Sequence, residues 1–428
     1  MIPEEQMPGQ MTSSTPPSTS APAPGGPHSS RFPFVSSWLQ SVGATFDDNA
    51  PSYGAAFDDK APSYGAAFDG DVPSYTNSRS SLPKMCELQL MNPPIDYQTP
   101  TVQELSRIDQ DPRHPLYAMR DTLSEFNALK NGIGILPASM KASLKEKLDV
   151  GGECRGELLL GCESTFDSSS VRLSRGDAPD LQRVQSVVEE TLECMEDGDL
   201  EISWNERVHF RVLNVALRFV ASKDELRYTN VTEKRDRIFP SFLLPFRRTS
   251  IQKDATIDYT INLLPSEGLN VAFRCIQPLA NETTASFNHT KLSPKNSPIA
   301  ISINTKSVAG DGEMNRVQLA VWAAALFERL KLLVKEAAHI PKDSSADIEI
   351  PPLPLVAVHG KTGALLVATY SAETDEPYKM WECGDFGSTD TIHGTYQVVA
   401  VLHLLMHWAQ NSYRPWFESR AAPRPMDN

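Results

Sequence analysis

Residues 299–306, Ile-Ala-Ile-Ser-Ile-Asn-Thr-Lys, constrain the fold more than any other stretch. Ile299, Ile301 and Ile303 recur at every second position with only Ala300 and Ser302 between them. The segment reads as a buried strand that ends in a lysine, and a buried strand needs a sheet with helices packed against it. Apolar spacing supplies those helices. It predicts helix over Leu116 to Leu129, a short one over 138–150, then Leu181 to Met195 with Val184, Val187, Val188, Leu192 and Met195 on its inner face. A longer helix opens at Trp204 and turns Val208, Val212, Val215, Ala216 and Phe219 inward, and Val317 to Ala338 and Thr395 to Gln410 follow the same rule. Strand-like runs are Ala255 to Leu264, Leu269 to Ile276, Ile299 to Thr305, Leu353 to His359 and Ala364 to Thr369, and Glu163 to Asp180 reads as a loop. This order predicts an α/β fold, a central mixed sheet flanked by helices.

The chain has 428 residues, but its composition is uneven. Residues 1–83 are rich in Pro, Ser, Gly and Ala and poor in Leu, Ile and Val, too little apolar surface to offset ordering entropy, so they are expected to be disordered. Within them three 11-residue units repeat over 43–75, each with Phe-Asp and Pro-Ser-Tyr. Solenoid units need about 20 residues or more, so these repeats are either an unfolded tandem duplication or a short motif shown three times to a protein partner. Residues 84–112 read as a linker and 113–420 as one domain.

The formal net charge of −14 argues against nonspecific nucleic-acid binding, although residues 1–80 hold eight acids against three bases, a surplus of five in the tail. Lys234, Arg235, Arg237, Arg247, Arg248 and Lys253 crowd together ahead of Asp258 and form either a phosphate-facing patch or a solvated loop. The six cysteines are scattered without a Cys-x-x-Cys pair, which points to a reducing compartment. Neither a leader's apolar core nor a run of about 20 apolar residues is seen, so a soluble intracellular protein is expected, and the sequons at Asn230, Asn281 and Asn288 are chance matches. Gly132-Ile-Gly134 lacks the third glycine and preceding strand of a phosphate loop and reads as a turn. His403 and His407 stand at i and i+4 among apolar neighbours, with no further zinc ligands apparent; no Ser-His-Asp arrangement stands out either.

Four features fall in order along the chain: Glu206 on a helix, Asp258 on a strand, Asn304-x-Lys306 at the end of a later strand, and Gln318 on the next helix. The order resembles the PD-(D/E)XK nuclease superfamily, and more closely its fungal nuclease-like domain family. Supporting strings include Trp204-Asn-Glu-Arg-Val-His209, Ile257-Asp-Tyr259, Asn288-His-Thr290, Pro298-Ile-Ala-Ile-Ser-Ile303, Gln318-Leu-Ala-Val-Trp322 and Gly394-Thr-Tyr-Gln397, and the resemblance covers about 113–420. It implies a restriction-endonuclease-like core and cleavage of DNA or RNA with Mg²⁺ or Mn²⁺. In that scheme Asp258, Asn304 and Glu206 hold the metal, Lys306 orients the attacking water, and Gln318 fixes water or substrate.

The departure from the family pattern is Asn304, where an acid is expected. A neutral carbonyl oxygen contributes no charge, so affinity for Mg²⁺ falls. Three readings stay open: a relic site with Asp258 and Lys306 joined as an ion pair, weak metal binding through Asp258, Glu206 and Asn304, or a displaced acid, Asp311 or Glu313. His289 either approaches a phosphate or, more simply, makes a loop hydrogen bond.

Overall fold

The computed structural model describes residues 84–422, apart from 102–103, 105–106, 145, 147–161, 235, 248–254, 277–284, 292–293, 340–347 and 372–375. The three repeats, part of the basic stretch (Arg235, Arg248 and Lys253), Cys154 and Asn281 lie outside the described residues. A seven-stranded mixed sheet forms the centre. Its strands are β1 (Ile95–Gln98), β2 (Leu226–Asn230), β3 (Tyr259–Leu263), β4 (Ile299–Lys306), β5 (Leu353–His359), β6 (Thr362–Thr369) and β7 (Tyr378–Ser388). They are ordered β1-β7-β6-β5-β4-β3-β2, with β4–β5 and β7–β1 parallel and the rest antiparallel. The expected α/β class is the observed one.

Helices cover both faces. They are α1 (Arg120–Lys130), α2 (Leu181–Glu196), α3 (Glu201–Trp204), α4 (Phe210–Phe219), α5 (Glu267–Ile276), α6 (Gly312–Ala337) and α7 (Ile392–Trp408), and a π turn at Asn205–His209 joins α3 to α4. Helix α6 is rich in strong helix formers, Ala320 and Ala323 to Ala325 among them, and is apolar on nearly every side because it lies across the middle strands. Its start is fixed by Asp311, whose carboxylate accepts the Glu313 and Met314 amides, a cap that contributes about 1 kcal/mol. Trp322 of α6 donates its indole N–H to Ser302 Oγ at 3.1 Å, which ties the helix to β4. Helices α4 and α7 close the opposite face. Between them and the sheet lies a cavity of about 40 Å³, lined by His209, Ile303, Thr305 and Val356 among others. That is too small for a nucleotide, since ligand pockets run to about 300 Å³ or more.

Several expectations are corrected. Leu269 to Ile276 is helix α5, because Leu269, Ala272 and Ile276 share one buried helical face, a spacing the dense apolar run conceals. The stretch 163–180 is not all loop: it holds a short strand at Phe166–Asp167 and a helix at Val171–Arg175, anchored where Arg172 donates to the Ile135 and Gly176 carbonyls. Residues 84–98, expected as linker, supply edge strand β1 and a second short strand, Met91–Asn92, that pairs with Phe246–Arg247. Asn288 is buried and donates to the Pro294 and Ser297 carbonyls, so its amide nitrogen is already committed within the fold. The five described cysteines are free.

Candidate active site

Three chain segments meet where β4 ends: the start of β3, the π turn after α3, and the second turn of α6. Asp258 immediately precedes β3 and is buried, at 4% exposure. Its Oδ2 accepts from the Thr305 amide at 2.8 Å and from Thr305 Oγ1 at 2.9 Å. Its Oδ1 accepts from Thr232 Oγ1 at 2.7 Å and, at a longer 3.4 Å, from Asn205 Nδ2. A carboxylate offers about four lone-pair positions; the Thr305 amide and the Thr232 hydroxyl each fill one, while the single Thr305 hydroxyl proton is shared between Asp258 Oδ2 and Asn205 Oδ1. Asn205 also links Asp258 to the helix face, with its Oδ1 2.6 Å from Thr305 Oγ1 and 2.9 Å from His209 Nδ1. Burial pushes the His209 imidazole below its ordinary pKa, against smaller opposing contributions from the Gly360 carbonyl and Asp258.

Alternate residues of β4 face opposite ways. Thr305 looks toward Asp258, while Asn304, 1% exposed, looks toward α6 and donates its Nδ2 to Gln318 Oε1 at 2.7 Å. Lys306 ends the strand and reaches Glu201 Oε1 at 3.0 Å, and its ammonium also donates to the Thr305 carbonyl. The ion pair is with Glu201, not with Asp258.

The residues singled out by sequence therefore divide. Asp258, Asn304, Lys306 and Gln318 lie at one strand end with buried or half-buried side chains, and Glu206, on the adjoining π turn, has its side chain exposed. Asp311 caps α6 and Glu313 accepts the Met85 amide, so neither replaces the missing acid. The His289 imidazole does not make the expected loop hydrogen bond: it is fully buried, edge-on to Trp322 with ring centroids 4.4 Å apart, and among the described residues neither ring nitrogen has a protein partner. Three residues that sequence reasoning passed over complete the site: Glu201, Asn205 and Thr305. The signal for two of them was present, since Glu201 and Asn205 are one helical turn apart and fall on the same face.

A model of the PD-(D/E)XK nuclease superfamily matches residues 160–414, more than half of the chain and the whole of the site. The chain belongs to the PD-(D/E)XK nuclease superfamily. No curated protein and no solved structure matches it. Members of the superfamily generally use divalent metals, so the donor set was tested against Mg²⁺, which takes oxygen ligands from one or two free carboxylates. Asp258 accepts hydrogen bonds on both oxygens, Asn304 is neutral and tied to Gln318, and Glu201 is held by Lys306. Among the described residues no group of three or more His, Cys, Asp or Glu is arranged to hold a metal ion. These residues do not fit the ion. No helix among them is long and apolar enough to cross a membrane.

Proposed function

We propose that this chain is a non-cleaving member of the superfamily, a domain that binds a partner where its relatives cut a phosphodiester. The observation that carries the reading is the state of Asp258, whose two oxygens meet donors from Thr305, Thr232 and Asn205. A metal on Oδ2 would have to displace the buried hydrogen bonds from Thr305, and one on Oδ1 the part-buried bond from Thr232, each worth about 1 kcal/mol net or more with a charged acceptor. Asn304 offers no second charge to repay that loss. Within the superfamily we place the chain in the fungal nuclease-like branch, on the strings around Trp204, Ile257 and Gln318, and inside the cell, on its scattered cysteines.

Nucleic acid is the ligand that membership suggests, but Glu201 pairs with Lys306 and disfavours a phosphate backbone there. A protein partner fits better. The second reading, an Mg²⁺- or Mn²⁺-dependent nuclease using Asp258, Lys306, Glu206 and Gln318, draws on one observation: Glu201 stands beside Lys306 and puts an acid near the position that Asn304 leaves uncharged.

The deciding experiment incubates labelled single- and double-stranded DNA and RNA with the protein and Mg²⁺ or Mn²⁺, alongside calorimetric metal titration. We expect no cutting and no saturable metal binding. Wild-type cutting that disappears in Asp258→Ala would establish the nuclease instead.

A further inference from the structure

Helix α2 buries Val184, Val187, Thr191 and Cys194, yet the apolar stripe that sequence places on one face continues past them into solvent. Leu192 is 47% exposed and Met195 40%; beyond the turn that ends the helix, Leu200 is 76% and Ile202 71% exposed. Four of the ten large apolar side chains exposed among the described residues thus fall within eleven positions. Single exposed apolar residues are ordinary, whereas a cluster marks a surface that something covers.

The surface is held rigid. The Asp199 amide donates to the Cys194 carbonyl at 3.0 Å, and Arg207 reaches back to Glu190 at 2.8 Å, Asp199 at 3.0 Å, and Glu193. A preorganised face loses little entropy on binding. It is also strongly acidic: residues 184–206 contain eight acids and no Lys, Arg or His. Arg207, Arg211 and Lys306 offset part of that charge, while Glu189 and Glu196 remain exposed.

The sign of the charge selects the occupant. Nucleic-acid phosphates and anionic lipid surfaces are repelled. A second copy would bring two acidic faces together, and the N-terminal repeats, two acids each, carry the same sign. We propose that the outer half of α2, together with Leu200 and Ile202, docks an amphipathic helix of a protein partner that bears Lys or Arg beside an apolar stripe, by the helix-in-groove mode of recognition. The proposal extends the binding-module reading by naming a surface and a partner chemistry. Its test reads peptide binding and not cleavage, so the two fail separately.

The probe is a labelled synthetic helix of about five turns, leucine at i, i+3, i+4 and i+7 and lysine elsewhere, followed by fluorescence polarisation with the full chain. Saturable binding is expected, weakened about tenfold or more by Leu192→Ser with Ile202→Ser and by Glu189→Lys with Glu196→Lys. All four positions are exposed, and unchanged thermal unfolding confirms that the variants fold. The same peptide with glutamate for lysine should not bind. Equal affinity of wild type and variants, or equal binding of the glutamate peptide, overturns the proposal. So does concentration-dependent dimerisation in sedimentation that the serine pair abolishes, since the face would then belong to a second copy.

Discussion

The two faces of β4 end in opposite chemistry. On the odd positions, Ile301 and Ile303 pack against α4 and α7, and Thr305 then delivers two hydrogen bonds to a buried carboxylate, Asp258. On the even positions, Ser302 accepts from Trp322, Asn304 donates to Gln318, and no charge appears until Lys306 turns away to Glu201. One face holds a charge wrapped in donors, the other a neutral amide pair. A two-carboxylate metal centre needs both acids free and facing one ion. Here the first acid is engaged and the second position is neutral, and that contrast is what the non-cleaving reading proposed above rests on.

The sharpest way to break this contrast is Asp258→Ala. It strands the buried Thr305 amide, at about 1–3 kcal/mol, and breaks the hydrogen bond from the exposed Thr232, so a loss of about 2–3 kcal/mol is expected in denaturant unfolding. A loss under about 1 kcal/mol would mean that the carboxylate is not a structural keystone. Asn304→Asp should cost less, about 1–2 kcal/mol, because Gln318 can turn its amide to donate to the new carboxylate. That variant also probes function: Mg²⁺-dependent cutting gained by Asn304→Asp or Asn304→Glu would show that Asp258 is not locked.

Acid sensitivity tests both faces. Burial, with the Arg329 charge beside it, pushes the His289 pKa down to about 3, and burial near Arg172 does the same to His403. Unfolded imidazoles titrate near about 6.5. Neutral burial therefore contributes its full stability above that pH, and the contribution is lost as pH falls from there toward about 3. His289→Phe should flatten the acid limb of a plot of thermal midpoint against pH, leaving the part due to His403. His209→Phe on the other face removes the 2.8 Å hydrogen bond to the Gly360 carbonyl and should lower the midpoint at neutral pH as well. The smallest effect is reserved for Glu206→Ala: at an exposed position it should change stability by no more than about 0.5 kcal/mol.

Much of the fold was legible because its signals are local. Ile299 to Ile303, the α6 run and the helix from Trp204 onward declare their periodicity within a few turns of chain. What failed was local too, but ambiguous. Leu269 to Ile276 is an apolar run that fits strand or helix, and β7 is interrupted by Gly384 and Gly387 at positive φ, which break the alternation a strand search needs. Helix α2 shows a subtler gap: its apolar stripe was read correctly, but the fold covers only the first half of it.

The site was legible as residue types, not as contacts. Sequence alone determined that a strand ends in Asn304-x-Lys306, that Asp258 belongs to an earlier strand-like run, and that the acid expected at 304 is absent. Only the tertiary structure decided that Lys306 pairs with Glu201, 105 residues away, and that Asp258 is enclosed by Thr305, Thr232 and Asn205. Hydrophobic periodicity is written into neighbouring residues, whereas the partner of a charge depends on strand register and helix rotation fixed by packing across the whole sheet.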